Sequence, residues 1–166
     1  LLINNFQVSS IANVNSNEVY VSFKNHGILK STNSGINWVN LNTPFINVNS
    51  IIVRNNILYS CTDLGIYTST NQGQNWTLIS SNIKDVSSLT FDQNSNMIAG
   101  TNYGIHRSTN GGNNWICTVF RQSTVSSLYC DLSGDIYSTG PLLNNYSAAW
   151  KTTDNGNTWV RLVKMN

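Results

Sequence analysis

The sequence predicts an all-β fold made of four tandem units of about forty residues each. The first observation behind this prediction is an octet that recurs four times and ends in tryptophan, with successive tryptophans 38, 39 and 44 residues apart. The second is a Val-x-Ser-Ile/Leu run that recurs with nearly the same period and begins at Val8, Val48, Val86 and Val125. The third is the alternation of apolar and polar residues, which is the period of a half-buried strand.

Each unit contains four short strands, A to D. Strand A is the Val-x-Ser run, a polar turn leads to strand B, strand C opens with Gly-Ile in three units, and strand D starts at the octet tryptophan. Four-stranded units of this length are typical of β-propeller blades. The prediction is therefore one β-propeller domain over residues 1–166, either a four-blade ring or part of a larger propeller. Its four-stranded antiparallel blades are expected at about 7–43, 46–81, 84–120 and 123–164.

The octet has a local physical reason in the turn between strands C and D. We expect the side chain of Asn33 to accept hydrogen bonds from backbone N–H groups two residues on. Gly35 supplies a positive φ that a Cβ would oppose, and Trp38 packs against a neighbouring blade. The same roles recur in the other three octets. The structural octet residues are Ser31, Asn33, Gly35, Trp38, Ser69, Asn71, Gly73, Trp76, Ser108, Asn110, Gly112, Trp115, Thr152, Asp154, Gly156 and Trp159.

This Ser/Thr-x-Asp/Asn-x-Gly-x-x-Trp pattern resembles the Asp-box, or bacterial neuraminidase repeat. The box occurs in sialidases, xyloglucanase-type glycoside hydrolases, sortilin-type receptors and photosystem II assembly factors. The resemblance covers nearly the whole chain and implies a propeller with these turns on the rim, away from the active face. It is closest in style to the non-enzymatic assembly-factor-like and sortilin-like propellers. Three of the four boxes carry Asn for Asp, which keeps the acceptor oxygen.

Composition excludes several classes of protein. Nine Lys and Arg against seven Asp and Glu give a net charge of +2, which argues against a nucleic-acid binder. No stretch approaches the roughly 20 apolar residues of a membrane span, and the first residues do not resemble a signal peptide. The abundance of Asn and Ser with few charges favours a bacterial, extracytoplasmic (secreted, periplasmic or cell-surface) protein. Cys61, Cys117 and Cys130 have no CxxC spacing, so buried thiols are favoured over a disulfide or a metal site.

The number and placement of the arginines and of the one glutamate argue against a sialidase. That activity would require three converging arginines and a Tyr/Glu pair, as the resemblance implies. Arg107 and Arg161 lie on strands C and D, and Glu18, beside an A–B turn, is the single glutamate.

A xyloglucanase-like hydrolase needs two carboxylates facing each other across the sugar. Only Asp63 and Asp85 lie in the B–C and D–A loops where propellers bind ligands, and His26 and His106 are isolated. The sequence therefore predicts a non-catalytic chain without cofactor or metal. The remaining aspartates are assigned to A–B turns or to an octet: Asp92, Asp131, Asp135 and Asp154.

Two hypotheses about function remain. One is an interaction module that presents its loop face to a protein partner, and the other is a carbohydrate-binding module or a portion of a glycoside hydrolase. A flat apolar patch around Leu64, Leu142 and Leu143 would favour a protein, whereas clustering of Asp63 with tyrosines around a groove would favour a glycan. The candidate binding residues are Asn25, His26, Asp63, Asn102, Tyr103, Arg121, Asn144, Asn145 and Tyr146.

An open four-blade arc would expose two apolar blade faces. A second copy of the chain, or further blades of a parent chain, would cover them. We therefore expect a homo-oligomer or further blades, in addition to the protein or glycan partner.

Overall fold

The structure is a computed structural model, and it describes residues 6–119, 124–141 and 147–162. These residues form short strands joined by turns. Sheet 1 contains β1 (Gln7–Asn13), β2 (Val19–Lys24), β3 (Gly27–Ser31) and β4 (Val39–Leu41). Sheet 2 contains β5 (Val48–Arg54), β6 (Ile57–Thr62), β7 (Gly65–Ser69) and β8 (Thr77–Ser80). Sheet 3 contains β9 (Val86–Phe91), β10 (Met97–Thr101), β11 (Gly104–Ser108) and β12 (Ile116–Val119). Sheet 4 contains β13 (Ser127–Cys130), β14 (Ile136–Pro141), β15 (Ser147–Thr152) and β16 (Val160–Arg161).

Within every sheet the strands lie in sequence order and all neighbouring pairs are antiparallel. This arrangement confirms the predicted all-β fold of four-stranded propeller blades. The outermost strand of each sheet begins one residue after the octet tryptophan, slightly later than the sequence suggested. In the part of the chain that the structure describes, no helix is long and apolar enough to cross a membrane.

The chain divides into two compact units, Leu1–Ser81 and Asn82–Asn166, each with two sheets. That division does not test the prediction of one domain over residues 1–166, which stays a prediction.

In unit 1, sheets 1 and 2 pack face to face around a core of buried apolar side chains. Tyr20 and Ile28 of sheet 1 contact Val48, Ile51 and Leu58 of sheet 2. In every sheet, we call the face equivalent to the one by which sheet 2 contacts sheet 1 the leading face. The opposite face is the trailing face. The core of unit 1 therefore joins the trailing face of sheet 1 to the leading face of sheet 2.

Unit 2 repeats this arrangement between sheets 3 and 4. Ile98 and Ile105 of sheet 3 pack against Leu128 and Ile136 of sheet 4. The two sheets also approach closely, because a Cβ built on Gly100 of β10 would lie 2.5 Å from Cγ1 of Val125, in the segment that leads into sheet 4. The period-two pattern predicts such faces because alternate residues of a strand point to one side.

Candidate functional site

The octet turns are closed by their own side chains. In sheet 1, the Ser31 hydroxyl donates to Asn33 Oδ1 (3.0 Å) and accepts from the backbone N–H of Gly35 (2.9 Å). Asn33 Oδ1 also accepts from the N–H of Asn37 at 2.8 Å. The sequence prediction of a bond two residues on is therefore wrong in detail, since the side chain reaches four residues on. The same bonds recur in the other octets, at Ser69/Asn71, Ser108/Asn110 and Thr152/Asp154.

The octet glycines and tryptophans take part in these turns and in the packing beside them, although Trp38 packs on Val21, Phe23 and Leu29 of its own sheet rather than on a neighbouring blade as predicted. Gly35, Gly73, Gly112 and Gly156 have φ values of 85° to 92°, where L side chains are strained. The Trp76 indole donates to the carbonyl of Gly73 at 3.1 Å, and its ring packs on the core of unit 1. The polar atoms of these turns are thus used within the fold.

The aspartates predicted at A–B turns also hold those turns. Asp92 is buried, and its Oδ1 accepts from the N–H groups of Asn94 and Asn96 at 2.9 and 2.8 Å. Asp131 Oδ1 accepts from the N–H groups of Ser133 and Asp135 at 2.9 and 3.0 Å. Both carboxylates are therefore committed to turn geometry.

A charged cluster connects sheets 1 and 2 on the side of the octet turns. Glu18 accepts a hydrogen bond from the hydroxyl of Tyr20 and forms an ion pair with Lys30, with 2.9 Å between the charged atoms. Lys30 Nζ also donates to Gln72 Oε1, in the octet of sheet 2, at 2.7 Å. Burial raises the pKa of Glu18, but the Tyr20 and Lys30 bonds outweigh it, so the net pKa is lowered. Burial and the neighbouring carboxylate raise the pKa of Tyr20 well above its usual range.

The loops on the opposite side of unit 1 form a continuous surface. The N–H of Gly27 donates to the carbonyl of Ile46 at 2.9 Å, and Asn47 Nδ2 donates to Asp63 Oδ2 at 3.1 Å. The segment 42–47 therefore bridges the B–C loops of sheets 1 and 2. Ile46 and Leu64 are both exposed on it. We call residues 25–27, 44–47 and 63–64 the loop surface of unit 1.

His26 lies at one edge of the loop surface of unit 1. Its ring stacks on Phe6 with 3.9 Å between centroids and meets Phe23 edge-on at 6.0 Å. Asn25 next to it is exposed, with a φ of 66°. The imidazole is therefore positioned by aromatic contacts.

In unit 2, Asn102 and Tyr103 form the B–C turn of sheet 3. The Tyr103 N–H donates to Thr101 Oγ1 at 2.9 Å, and the side chain is exposed. His106 lies on β11, as predicted, with Nδ1 3.5 Å from Thr101 Oγ1. Partial burial lowers the pKa of His106, which favours the neutral ring.

The predicted binding residues are thus distributed over both units. Asn25, His26 and Asp63 lie on the loop surface of unit 1, and Asn102 and Tyr103 lie in unit 2. The rest, at positions 121 and 144–146, lie outside the described residues: Arg121, Asn144, Asn145 and Tyr146.

Sequence reasoning missed Ile46 and Asn47, which form the middle of the loop surface of unit 1. Their signal was present in the sequence, because both precede the Val48 marker in a D–A loop, where propellers place ligand contacts. An isolated apolar residue in a loop looks like a core residue until its exposure is known.

The described residues contain no group of three or more His, Cys, Asp or Glu side chains that could hold a metal ion. Cys61, Cys117 and Cys130 are thiols rather than disulfides, as predicted, but only Cys61 is buried, whereas Cys117 and Cys130 are partly exposed. Complete burial raises the pKa of the Cys61 thiol far above its usual range, so that thiol is unreactive.

No family model matches the sequence, and no curated protein matches it either. Solved structures do match. The chain superposes on the GH74 enzyme of Niastella koreensis with a TM-score of 0.77 at 19% identity, covering 93% of this chain and 30% of the enzyme. For the GH74 xyloglucanase of Xanthomonas campestris the TM-score is 0.76 at 16% identity, covering 96% and 31%. For YCF48 bound to D1 peptide it is 0.71 at 17% identity, covering 98% and 56%.

At these identities the likeness establishes the β-propeller fold alone. The chain spans less than a third of the two GH74 enzymes and just over half of YCF48. The neighbours include both enzymes and a propeller that holds a peptide, so the fold is compatible with either kind of activity.

Proposed function

We propose that this chain is a non-catalytic propeller module that binds a protein partner through the loop surface of unit 1. The observation that carries the proposal is the exposure of Ile46 and Leu64 on either side of the Asn47–Asp63 hydrogen bond. Apolar side chains around a fixed polar pair are typical of protein-binding surfaces, where aliphatic contacts provide affinity and polar groups fix orientation.

The roles of the carboxylates support a non-catalytic module. Asp92 and Asp131 hold A–B turns, Glu18 is paired with Lys30, and Asp154 closes an octet. Asp63 on the loop surface of unit 1 accepts from an amide rather than facing a second carboxylate. A glycosidase needs an opposed pair. YCF48 bound to D1 peptide is a structural neighbour that holds a peptide, which fits this proposal.

A carbohydrate-binding module, or a portion of a larger glycoside hydrolase, is the second candidate. The observation that favours it is the exposed ring of Tyr103 in unit 2, since sugars stack on exposed aromatic rings. The two GH74 neighbours agree with it at the level of the fold.

The octet geometry supports a place among the Asp-box propellers, because a hydroxyl, an amide or carboxylate oxygen and a glycine occur at the same positions and make the same bonds in all four copies. We also place the protein outside the cytoplasm of a bacterium, on the basis of its composition of polar uncharged residues.

Site-specific photocrosslinking in the native host tests the main proposal. A photoreactive amino acid at Ile46 or at Leu64 is expected to give the same discrete protein adduct. The matched control is the same group at Leu132, which is exposed in an A–B turn. An adduct of equal yield at Leu132, or none at Ile46 and Leu64, contradicts the proposal.

A glycan array tests the second candidate. Binding of β-glucan or xyloglucan oligosaccharides that is lost in Tyr103→Ala, and kept in Leu132→Ala, would establish the carbohydrate function instead. Leu132 is the control because it is also a large exposed side chain of unit 2, in an A–B turn.

A further inference from the structure

The leading face of sheet 1 differs in exposure from the same face of the other described sheets. Val8 and Val48 begin the same marker run in consecutive units, yet Val8 is 57% exposed and Val48 is 0% exposed. Val48 is covered by the trailing face of sheet 1, as the core of unit 1 shows. The matching markers of sheet 4, Val125 and Leu128, are likewise buried against sheet 3.

The leading face of sheet 1 is apolar and contains a groove. Val8 and Ile11 on this face are exposed, whereas Val21, Phe23 and Leu29 are buried in a cluster with Trp38, and none of these side chains is charged. The groove has a volume of about 360 Å³. Its lining consists of Phe6, Val8, Val21, Phe23, Leu29 and Trp38. An apolar face of this kind in a soluble protein indicates a surface that is covered in the functional state.

The trailing face of sheet 4 carries a tyrosine, a lysine and a carboxylate in contact. Lys151 Nζ lies 2.6 Å from Asp135 and 5.4 Å from the ring centroid of Tyr137. Tyr129 stands next to Tyr137 with 6.5 Å between ring centroids, and 62% of Tyr129 is exposed.

The same trio is present on the trailing face of sheet 1. There Lys30 Nζ lies 2.9 Å from Glu18 and 5.5 Å from the ring centroid of Tyr20. The strand register makes the two trios equivalent, since Tyr20 pairs with Lys30 and Tyr137 pairs with Lys151 across the same two strands. In sheet 1, these three side chains contact the octet turn of sheet 2. The Tyr20 hydroxyl donates to the backbone carbonyl of Gln72, and Lys30 Nζ donates to the Gln72 side chain.

A leucine completes the likeness between the two trailing faces. Leu41 pairs with Ile28 in sheet 1 and lies under Gly73, the octet glycine of sheet 2. Leu162 holds the same place in sheet 4, where its N–H donates to the carbonyl of Ala149, and 49% of it is exposed. The trailing face of sheet 4 therefore has the features that hold another sheet in unit 1.

We propose that two copies of this chain associate head to tail, with the trailing face of sheet 4 of one copy on the leading face of sheet 1 of the other. In this association, sheet 4 of one copy contacts sheet 1 of the other in the same way that sheet 1 contacts sheet 2 within one chain. The octet of sheet 1 then takes the place of the octet of sheet 2, so Gly35 covers Leu162 and the Tyr137 hydroxyl donates to the carbonyl of Ser34. Ser34 and Gln72 are both the fourth residue of their octets.

The charge pattern favours sheet 4 of a second copy as the occupant. Sheets 2 and 3 do not repeat the trio: Thr68 and Arg107 stand where Lys30 and Lys151 stand, paired with Tyr59 and Ile98. A head-to-tail contact joins different surfaces, so association ends only when the copies close a ring, for which two copies are the minimum.

Light scattering on the purified 166-residue chain tests the proposal. The expected mass is twice 18.4 kDa, or a higher whole-number multiple, over a roughly hundredfold range of concentration. Ile11→Arg on the leading face and Tyr129→Arg on the trailing face are each expected to weaken association at least about a hundredfold, because a charge buried without a partner is strongly unfavourable. Both sites are exposed in the single chain, so both variants should keep its circular dichroism spectrum.

Mixing the two variants separates a head-to-tail contact from a symmetric one. Ile11→Arg retains a normal trailing face and Tyr129→Arg a normal leading face, so the mixture is expected to recover one contact and twice the single-chain mass. The control is Ile36→Arg, an exposed isoleucine of sheet 1 whose counterpart Gln74 stays exposed in sheet 2. A wild-type chain that stays at 18.4 kDa, or a mixture that stays at 18.4 kDa, overturns the proposal.

Discussion

Ile11 and Ile51 are the same residue at the same position of consecutive repeats, yet 67% of Ile11 is exposed and only 2% of Ile51. Both point to the leading face of their sheet, because each pairs with the strand B residue of the same register, Val21 or Ser60. The difference arises from the neighbouring sheet rather than from the local sequence. Burial in a repeat fold depends on the adjacent repeat.

Ile51→Ala is expected to lower the free energy of unfolding by about 2 to 5 kcal/mol, since it leaves a cavity between sheets 1 and 2. Urea unfolding followed by tryptophan fluorescence measures the change. Ile36→Ala is the control, because this isoleucine is exposed in the octet turn and should change stability by less than about 0.5 kcal/mol. Equal losses in the two variants would contradict the assignment of Ile51 to the core.

Gly73→Ala is expected to be more damaging than Gly111→Ala, although both glycines lie in octet turns. Gly73 has a φ of 85°, and a Cβ there would lie 2.5 Å from Leu41 Cδ1. Gly111 has a φ of 69° and nothing within 4 Å of a Cβ, and Gln72 holds the same octet position at 59°.

We expect a loss of about 2 to 4 kcal/mol for Gly73→Ala, from backbone strain and overpacking together. Gly111→Ala should cost about 1 kcal/mol or less. Chemical denaturation of the two variants side by side gives both values. A larger loss at Gly111 would show that the turn, rather than the contact with Leu41, decides the cost.

Tyr20→Phe is expected to destabilise the chain by about 1 to 2 kcal/mol at neutral pH, because the hydroxyl loses its bond to Glu18. The pKa of Tyr20 is raised in the folded state, so this contribution is present below the ordinary pKa of 10.0 and is lost as the pH rises above it. Thermal melts from pH 7 to pH 11 should therefore show the wild type converging on Tyr20→Phe at high pH. Tyr103→Phe, at an exposed ring, should match the wild type throughout.

Much of the fold followed from the sequence because its determinants are local. The octet fixes a turn through bonds within eight residues, such as Ser31 to Gly35, and the marker run supplies the buried Val48 and Ile51 of β5. Both signals recur in every unit, so one correct interpretation extended to all four sheets.

The candidate site was less predictable because its contacts join distant residues. Asn47 and Asp63 are 16 residues apart, and Lys30 and Gln72 are 42 residues apart. Such pairs depend on how one sheet lies on the next, which no pattern within a single repeat reveals. For the same reason the sequence anticipated exposed blade faces in general, but not which side chains cover them.

Asp154 is the single aspartate among the octet residues that are otherwise Asn33, Asn71 and Asn110, and it should make stability depend on acid. Hydrogen bonds from Thr158 and Thr152 lower the pKa of Asp154 from 3.8 to about 2. The folded pKa is the lower one, so the folded state binds fewer protons and the stabilisation is present above pH 3.8. It is lost as the pH falls through about 2.

Asp154→Asn removes this titration and leaves an octet like the other three. Its urea midpoint is expected to lie below that of the wild type at pH 5, and the gap should shrink by about half or more at pH 2, where half of the folded molecules have a protonated Asp154. Asn110→Asp is the reciprocal control, since Asn110 Oδ1 accepts from Ser108 and from the N–H of Asn114 in the same geometry. That variant should become more sensitive to acid than the wild type. A gap between wild type and Asp154→Asn that is constant from pH 5 to pH 2 would show that the carboxylate stays charged at pH 2, or that its charge contributes nothing to the turn.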